Sequence, residues 1–584
     1  MKNLIKYILI VSVFTGMIAC DTLEPIEENR LEFDFILTDP NAAEGVLLNG
    51  YTGLVNQYSF SEAATDDAVS NLLTRVSNVI NNDYKRMALG ELNAQFNPAA
   101  RWGSFERVFW VNRFLEVIET GETQWSRDTL TNTMFAMRLK GEALALRGLH
   151  HYYVLQAHAG IGESGQLLGI PYYTEFIEPD GNFNVPRLSF EASVQAIMAD
   201  FDEALNLLPT DYGLSAGQVD PWYSDLENFE FDKYGIVNDN FFDLRLSGKI
   251  VRALKARLAL FAASPSFLDS QSYYNMAATN AAQILNTIGG TAGLDPTGNE
   301  FYISDGNIQS NESLWRGSIG GNTSNYEQRM FPPSINGDGE INPTHNFAMA
   351  FPMQDGFPAT AANGFDPQNP YANRDPRLEK YVIVNGASFG AGGDIINTGV
   401  GGGNDRLDSI PQQSTTTGYY LKKLLRPDVL INDNGTAQGQ SHANVYFRYT
   451  ELFLILAEAA NEIGGPDNQV DGITARDVIA AIRNRAGIAQ PDNYLASITT
   501  TEDMRELIRN ERRIELSFEG HRFWDIRRWG LSLNELAKGY FFDGNNYIDL
   551  PSVEIRNFQP FATYLPIPNS EILKFSELEQ NMGW

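Results

Sequence analysis

Apolar residues recur every three or four positions through much of the chain, which is the spacing of one face of an α-helix. The series Val194, Ile197 and Phe201 is one such face. Alanine-rich stretches, whose small side chains let neighbouring helices approach closely, lie at 141–158, 250–263 and 452–463. The pattern therefore predicts a mainly α-helical protein in which helix packs upon helix.

Two dipeptides mark expected helix starts. Asp39 before Pro40 and Asn97 before Pro98 each offer an N-cap side chain followed by a proline, whose missing N–H costs nothing in a first turn. Apolar side chains with helical spacing follow both dipeptides. A helix is therefore expected to begin at each of them.

Three long stretches interrupt the helical pattern. They are rich in Gly, Asn, Asp, Ser and Thr, and they span residues 209–246, 289–345 and 384–440. Connections of this length in a compact protein are uncommon and frequently carry function. We therefore expect these stretches to present the functional surface.

The segment that begins at Thr500 places acidic residues on an apolar helix face. Thr500 and Asp503 have the spacing of a capping box. At 100° per residue, Glu511 and Glu515 fall in the middle of the apolar stripe, and Arg512 borders it. A lone ionised carboxylate costs several kcal/mol in a protein interior, and the forked guanidinium of arginine suits its neutralisation. We therefore expect a buried ion-pair network that contains Glu511, Glu515 and Arg512.

Other segments could supply further guanidinium groups to this network, from Arg374, Arg377, Arg448, Arg483 and Arg485. Two carboxylates one helical turn apart could also be the acid pair of a glycoside hydrolase. That chemistry needs both groups to face an open cleft across a sugar. Because this face packs against other helices, the structural role is favoured over catalysis.

The charge and motif content exclude several classes of partner. The formal net charge of -30 repels phosphate backbones, so we expect no nucleic-acid partner. His150, His151 and His158 contain no pair with i, i+4 spacing, and the glycine-rich stretch 399–405 lacks the lysine of a phosphate loop. No metal and no cofactor are therefore expected.

The N-terminus has the order of a bacterial lipoprotein signal. Two lysines accompany an apolar run at residues 7–18, which is too short to span a bilayer, and Cys20, the only cysteine of the chain, follows at once. We expect residues 1–19 to be removed and Cys20 to be acylated. Residues 20–36 would then contain an acidic tether, and lipid would be the only membrane attachment.

Five motifs occur in order along the chain. They are ATDDAVSN at 64–71, GEALALRGLHHYYVLQAHAGIG at 141–162, PYANRDPRL at 370–378, YFRYTELFLILAEAANEIGG at 446–465 and NERRIELSFEGHRFWDIRRWG at 510–530. Together with the Cys20 signal, this series closely resembles the SusD/RagB-type outer-membrane lipoproteins. The resemblance spans nearly the whole chain after the signal.

The resemblance implies a fold of four tetratricopeptide-like helical pairs with a loop-rich, irregular half packed over them. We expect a single body over residues 37–584. Its helical scaffold would lie mainly in residues 37–208, 247–288 and 445–530. The three long stretches would then be the loop-rich insertions that face the ligand.

The same resemblance implies a non-enzymatic role at the cell surface. Such proteins capture a nutrient, most often a glycan, and cover a SusC-like TonB-dependent transporter in the outer membrane. The alternatives are peptide capture of the RagB type, a surface glycoside hydrolase, and a helical scaffold whose only partner is protein.

Ligand residues cannot be carried over from the family, because its quoted motifs do not contain them. Sugar rings dock their C–H faces on exposed aromatic rings, so aromatic residues of the variable loops are the candidates. We select Trp222 and Tyr223 first, then Tyr326, with Tyr302 and Tyr84 behind them.

Overall fold

The computed structural model describes residues 33–72, 80–303, 310–319 and 321–584. The expected signal sequence, Cys20 and most of the tether lie outside these residues. Within the described ranges, no helix has both the length and the apolar composition needed to cross a bilayer.

Helices form most of the regular structure. They are α1 (Phe33–Thr38), α2 (Pro40–Leu48), α3 (Ile80–Arg86), α4 (Ser104–Thr120), α5 (Thr129–His158), α6 (Phe190–Leu205), α7 (Pro221–Ser224), α8 (Phe231–Val237), α9 (Gly248–Ala263), α10 (Gln271–Thr287), α11 (Asn325–Met330), α12 (His345–Ala350), α13 (Arg377–Tyr381), α14 (Tyr449–Gly464), α15 (Ala475–Ala486), α16 (Asn493–Ser497), α17 (Thr501–Glu515), α18 (Arg522–Arg528) and α19 (Asn569–Lys574). The prediction of a mainly α fold is confirmed.

The long helices pack in nearly the order of the chain. Helix α4 packs on α5, α5 on α6, α6 on α9, α9 on α10, α10 on α14, and α14 on both α15 and α17. Each helix thus covers an apolar face of its predecessor, as in a tetratricopeptide-like scaffold. We call this part the helical half.

The strands are short and form two-stranded antiparallel pairs over the described ranges. The pairs are β1 (Ala68–Ser70) with β5 (Ile341–Pro343), β2 (Gly160–Ile161) with β3 (Leu167–Leu168), β4 (Ser313–Arg316) with β12 (Val445–Arg448), β6 (Val382–Ile383) with β9 (Tyr420–Leu421), β7 (Ala387–Phe389) with β8 (Asp394–Ile396), β10 (Leu430–Ile431) with β11 (Ala437–Gln438), and β13 (Ala537–Phe542) with β14 (Tyr547–Glu554). Most of them lie in the part built from residues 289–448 and 531–584, which we call the loop-rich half.

Each half has its own apolar core, and α17 enters both. Met504, Leu507 and Ile508 on its first turns pack in the core of the helical half. Ile514 on its last turn, and Phe518 just beyond it, pack in the core of the loop-rich half. A single amphipathic helix therefore joins the two cores.

One of the two expected helix starts is correct. The Asp39 side chain caps α2 and accepts hydrogen bonds from the N–H groups of Asn41 (2.8 Å) and Ala42 (3.1 Å). The start at Asn97 is wrong, because α4 begins only at Ser104. The Asn97 side chain instead accepts the N–H of Ala99 (3.1 Å) and so stabilises a turn.

Glu511 and Glu515 lie where α17 passes from one core to the other, and both are fully buried. Glu511 accepts hydrogen bonds from Arg377 (2.8 Å) and Arg483 (3.0 Å). Glu515 accepts hydrogen bonds from Arg377 (3.0 Å) and Arg485 (3.0 Å). Arg377 belongs to α13 in the loop-rich half, whereas the other two arginines belong to α15 in the helical half. Each glutamate is thus held by one arginine from each half, and we call these five residues the charge clamp.

The clamp keeps Glu515 ionised despite its burial. Burial alone would raise the pKa of Glu515, but the guanidinium groups of Arg485 and Arg377 lower it to about 2. Asp375 receives a further hydrogen bond from Arg377 (2.6 Å), so the remaining N–H groups of this arginine are also satisfied. A buried ion pair stabilises a protein only when its geometry is good and its polar atoms are satisfied.

Arg512 is not part of the charge clamp, and the expectation that it would be is corrected. Its Nε donates to Asp525 (2.8 Å), and its Nη2 donates to Nδ1 of His521 (3.3 Å). Gly520, with φ at +81°, lets the chain turn between α17 and α18. Helix α18 thereby places its own acid, Asp525, beside Arg512.

Glu62 is another fully buried acid, and it has no arginine partner among the described residues. It lies on a short 3-10 turn that packs against α18. One of its carboxyl oxygens accepts the N–H of Gly520 (2.9 Å), and the other has no hydrogen-bond partner among the described residues. Burial raises the pKa of Glu62 to about 7.

We predict that Glu515→Gln lowers the free energy of unfolding by about 3–5 kcal/mol, because it leaves buried guanidinium groups without their counter-charge. Chemical denaturation at pH 7 measures the effect. Glu506→Gln on the same helix is the matched control, since the Glu506 side chain is 75% exposed, and it should change stability by less than about 0.5 kcal/mol. Equal effects of the two substitutions would contradict the clamp.

A second prediction concerns pH. The folded-state pKa of Glu62 lies above its unfolded value, so its stabilising contribution is present below about pH 4.5 and is lost as the pH rises through 7. Glu62→Gln should therefore gain stability relative to wild type between pH 5 and pH 8, by on the order of 3 kcal/mol. Unfolding midpoints of both proteins across this range test it, and parallel profiles would refute it.

Candidate ligand-binding site

The first candidate pair, Trp222 and Tyr223, lies on the short helix α7 and is held against the end of α6. The Trp222 indole N–H donates to the carbonyl of Leu208 (3.1 Å), and the Tyr223 hydroxyl donates to the carbonyl of Leu207 (2.7 Å). Tyr223 is fully buried and packs edge-on against Tyr234 at 5.3 Å. It therefore offers no ring face to a sugar, whereas Trp222 is half-buried.

Tyr84 and Tyr302 are also buried, which removes them as exposed platforms. Tyr84 packs edge-on against Phe523 at 5.8 Å, and Tyr302 packs edge-on against Phe301 at 5.5 Å. Both rings belong to the core of the loop-rich half. Tyr84 lies on α3 and Tyr302 in one of the three long stretches, and both rings fill the apolar interior of this half instead of facing solvent.

Tyr326 is the candidate that combines an aromatic stack with partial exposure. Its ring lies flat on that of Tyr58, with centroids 3.9 Å apart and planes 10° from parallel. Tyr58 is buried and is supported from the side by Phe60 and His442, while Tyr326 stays partly exposed. We call Tyr58 and Tyr326 the tyrosine stack.

Hydrogen-bonding groups surround the tyrosine stack. His442, which contacts both tyrosine rings edge-on, lies 2.8 Å from the buried Glu327. At the surface, the Ser441 hydroxyl donates to the Asn322 side chain (2.9 Å), and Asn325 begins the helix that carries Tyr326. A partly exposed ring bordered by amide and hydroxyl groups is the usual chemistry of a sugar-binding surface.

A polar groove lies beyond the end of α11. It has a volume of about 640 Å³ and runs between the β7–β8 and β10–β11 hairpins. Amide and carboxylate side chains line it, among them Asn336, Asp394, Asn432 and Asp433. Phe331, which follows α11 directly and lies five residues after Tyr326 in the chain, also lines it.

The structure brings some of the candidates together and separates others. Tyr84, Tyr302 and Tyr326 share the apolar cluster of the loop-rich half with Tyr58. Trp222 and Tyr223 belong to a separate small cluster beside α5. Tyr58 was not among the predicted site residues, and it lies outside the three long stretches. The sequence feature that could have indicated Tyr58 is an aromatic residue within the polar segment Asn56–Ser61, which follows a helix end.

The two glutamates that could have formed a hydrolytic pair have no access to substrate. Glu511 and Glu515 are fully buried and are engaged by three arginines. Glycoside hydrolysis needs two carboxyl groups on either side of a sugar. This pair therefore cannot perform that reaction.

Comparison with known proteins finds two family models that match this chain. Residues 307–584 match the model of the SusD family, and residues 37–216 match a model described as starch-binding associating with outer membrane. SusD-like protein P25 of Formosa agariphila is 32% identical over 153 residues, which is 26% of each chain. SusD-like protein P2 of the same organism is 30% identical over 166 residues, which is 28% of this chain and 29% of that relative. The matched stretches thus span less than a third of these relatives.

Solved structures resemble the whole chain. A SusD-like protein from Bacteroides fragilis superposes with a TM-score of 0.72 at 21% identity, covering 94% of this chain and 98% of that one. A laminarin-binding SusD-like protein has a TM-score of 0.59 at 18% identity, and surface glycan-binding protein A from Bacteroides fluxus has 0.60 at 18%. Each of the latter two covers 94% of this chain and 100% of its own. With this scaffold, these motifs and both family models in agreement, the chain belongs to the SusD/RagB family.

Proposed function

We propose that this protein is a cell-surface lipoprotein that binds a glycan and delivers it to a SusC-like TonB-dependent transporter of the outer membrane. The observation that carries the proposal is the tyrosine stack, which presents a partly exposed ring on the loop-rich half. Family membership supports it, as do the two structural neighbours named for binding laminarin and surface glycans.

The tyrosine stack has the physical properties that a sugar platform needs. The aromatic face binds the apolar C–H surface of a pyranose ring, and burial of that surface provides most of the affinity. The stacked Tyr58 holds the Tyr326 ring in place, so little side-chain entropy is lost on binding. Asn322 and Ser441, which are hydrogen-bonded to each other, would supply hydrogen bonds to sugar hydroxyl groups.

The polar groove extends this surface. Its amide and carboxylate groups can replace the water around sugar hydroxyls, and its volume of about 640 Å³ exceeds that of a single sugar ring. A glycan chain would dock one ring on Tyr326 and lie with its neighbouring rings in the groove. This arrangement favours an oligosaccharide or polysaccharide over a monosaccharide.

The remaining parts of the proposal rest on sequence and family. Acylation at Cys20 would place the protein on the outer membrane, with residues 20–36 as the tether. The scaffold of residues 37–208, 247–288 and 445–530 would hold the loop-rich half above the transporter. The binding role is not enzymatic.

We predict that Tyr326→Ala weakens the affinity for the bound glycan about tenfold, or about 1.4 kcal/mol. The measurement is calorimetric titration of the purified protein, with the ligand first identified from a panel of polysaccharides and peptides. Phe241→Ala is the matched control, because Phe241 is an aromatic residue that is 82% exposed and lies outside the loop-rich half. It should bind as wild type does.

The Trp222→Ala variant tests whether the glycan binds at Trp222 or at Tyr326. Because the Trp222 indole is held by the Leu208 carbonyl, we expect this substitution to leave glycan affinity unchanged. Loss of binding in Trp222→Ala with normal binding in Tyr326→Ala would contradict the platform proposed above. Binding of peptides and no glycan would replace the proposal with peptide capture.

We also predict that the pure protein leaves the chain length of every polysaccharide it binds unchanged. Size-exclusion chromatography of the polysaccharide after prolonged incubation measures this directly. Shortening of a bound chain, reproduced with independently purified protein, would refute the non-enzymatic role.

A further inference from the structure

A polar cavity of about 110 Å³ lies between the two halves. Helix α5 contributes Tyr152 and Tyr153 to its wall, and α9 contributes Arg257. Arg512 of α17 and Tyr84 of α3 close it from the other side. The cavity is separate from the tyrosine stack, none of whose residues line it.

The charged side chains of the cavity wall are unequal in number. Five arginines line the cavity: Arg101, Arg257, Arg448, Arg512 and Arg528. Three carboxylates line it: Glu451, Glu519 and Asp525. The wall therefore has more cations than anions, in a protein whose overall charge is strongly negative.

The three carboxylates already accept hydrogen bonds from the wall. Glu451 accepts two from Arg257 (2.7 and 2.6 Å). Glu519 accepts from Arg448 (2.7 Å) and also from Lys423 (2.7 Å). Asp525 accepts hydrogen bonds from Arg512 and Arg528, each at 2.8 Å. None of the three is left without a cation.

Several donors in the wall have no acceptor. Behind the wall, Glu312 and Glu458 complete the pairing of Arg448 and Arg528. The guanidinium group of Arg101 donates to no described residue, and the same holds for Nη1 of Arg257 and Nη1 of Arg512. Spare N–H groups therefore come from three arginines.

Tyrosine hydroxyls add to this excess of donors. Arg101 is close enough to Tyr84 and Tyr153 to act electrostatically on both. Burial nevertheless raises the pKa of Tyr84, Tyr152 and Tyr153, so the three hydroxyl groups stay protonated at neutral pH. Each retains a proton that it can donate.

We propose that this cavity binds a small oxyanion, of the carboxylate or phosphate class, between Arg101, Arg257 and Arg512. A carboxylate has acceptors only and a phosphate has mostly acceptors, which matches a wall with spare donors and saturated carboxylates. A buried water needs roughly 10–15 Å³ measured in this way, so about 110 Å³ accommodates one oxyanion with a few waters. Arg257 belongs to α9 and Arg512 to α17, so the bound anion would link these two helices.

The cavity reaches the surface beside those of its lining residues that are partly exposed. Asn56, Gln156, His521 and Trp524 line the cavity and are each partly exposed at the surface. The negative charge of the whole protein does not exclude an anion, since distant surface charges are screened beyond about 8–10 Å at physiological salt. The local arginines then dominate the field inside.

Calorimetric titration of the purified protein with inorganic phosphate and, separately, with acetate at constant ionic strength tests this proposal. We expect saturable binding of at least one anion. The anion that binds with the higher affinity identifies the ligand as a phosphate or a carboxylate. Arg101→Gln should weaken that binding about tenfold, because charge-assisted hydrogen bonds are the strong ones. The Arg101 side chain makes no ion pair or hydrogen bond with a described residue, so this substitution breaks none.

Arg127→Gln is the matched control, since Arg127 is exposed and makes no ion pair with a described residue. It should bind the anion as wild type does. Tyr84→Phe keeps the buried ring and removes one donor, so it should weaken binding several-fold and serves as the second variant if Arg101→Gln unfolds.

The absence of saturable binding of both anions by wild type would overturn the proposal. Equal affinity in wild type, Arg101→Gln and Tyr84→Phe would also overturn it, because the anion would then bind elsewhere. Glycan titrations of the same variants test the proposed function separately. Tyr326 does not line the cavity, so loss of anion binding and loss of glycan binding are distinguishable results.

Discussion

Two buried carboxylates at the junction of two apolar cores constrain the rest of this structure. Burying Glu511 and Glu515 without partners would cost more than most single interactions in a protein can recover. Each is neutralised by arginines from both halves, so the halves must meet in one relative position. Because α17 enters both cores, this electrostatic requirement and apolar packing act on the same helix.

A fixed junction has consequences for ligand binding. The tyrosine stack and the polar groove both lie on the loop-rich half, whose core is held to the helical half by the charge clamp and by further buried pairs such as Arg448 with Glu519. A preformed surface loses little entropy when a flexible glycan docks on it. Such a surface suits capture and transfer of a ligand, which require no chemical step.

Features of the fold that depend on helical periodicity could be predicted from the sequence. Features that depend on contacts between distant residues could not. The mainly helical fold and the two acids on an apolar face follow from spacing at 3.6 residues per turn. Arg377, Arg483 and Arg485 were among five candidate partners, but which of the five engage those acids depends on where α13 and α15 pack, and Arg377 is 134 residues from Glu511 along the chain. The same limit explains Tyr223 and Tyr58: a loop-rich segment can bury an aromatic ring or expose it, and local sequence does not distinguish the two.

The most direct test of the junction is hydrogen exchange of the Glu511→Gln/Glu515→Gln variant across a denaturant series, followed by mass spectrometry of peptides from each half. Our account predicts that wild type opens both halves together, because α17 and its clamp couple them. In the variant, peptides from β6 and β9 should exchange at lower denaturant than peptides from α10 and α14. Continued joint opening of the two halves at the wild-type midpoint would contradict it.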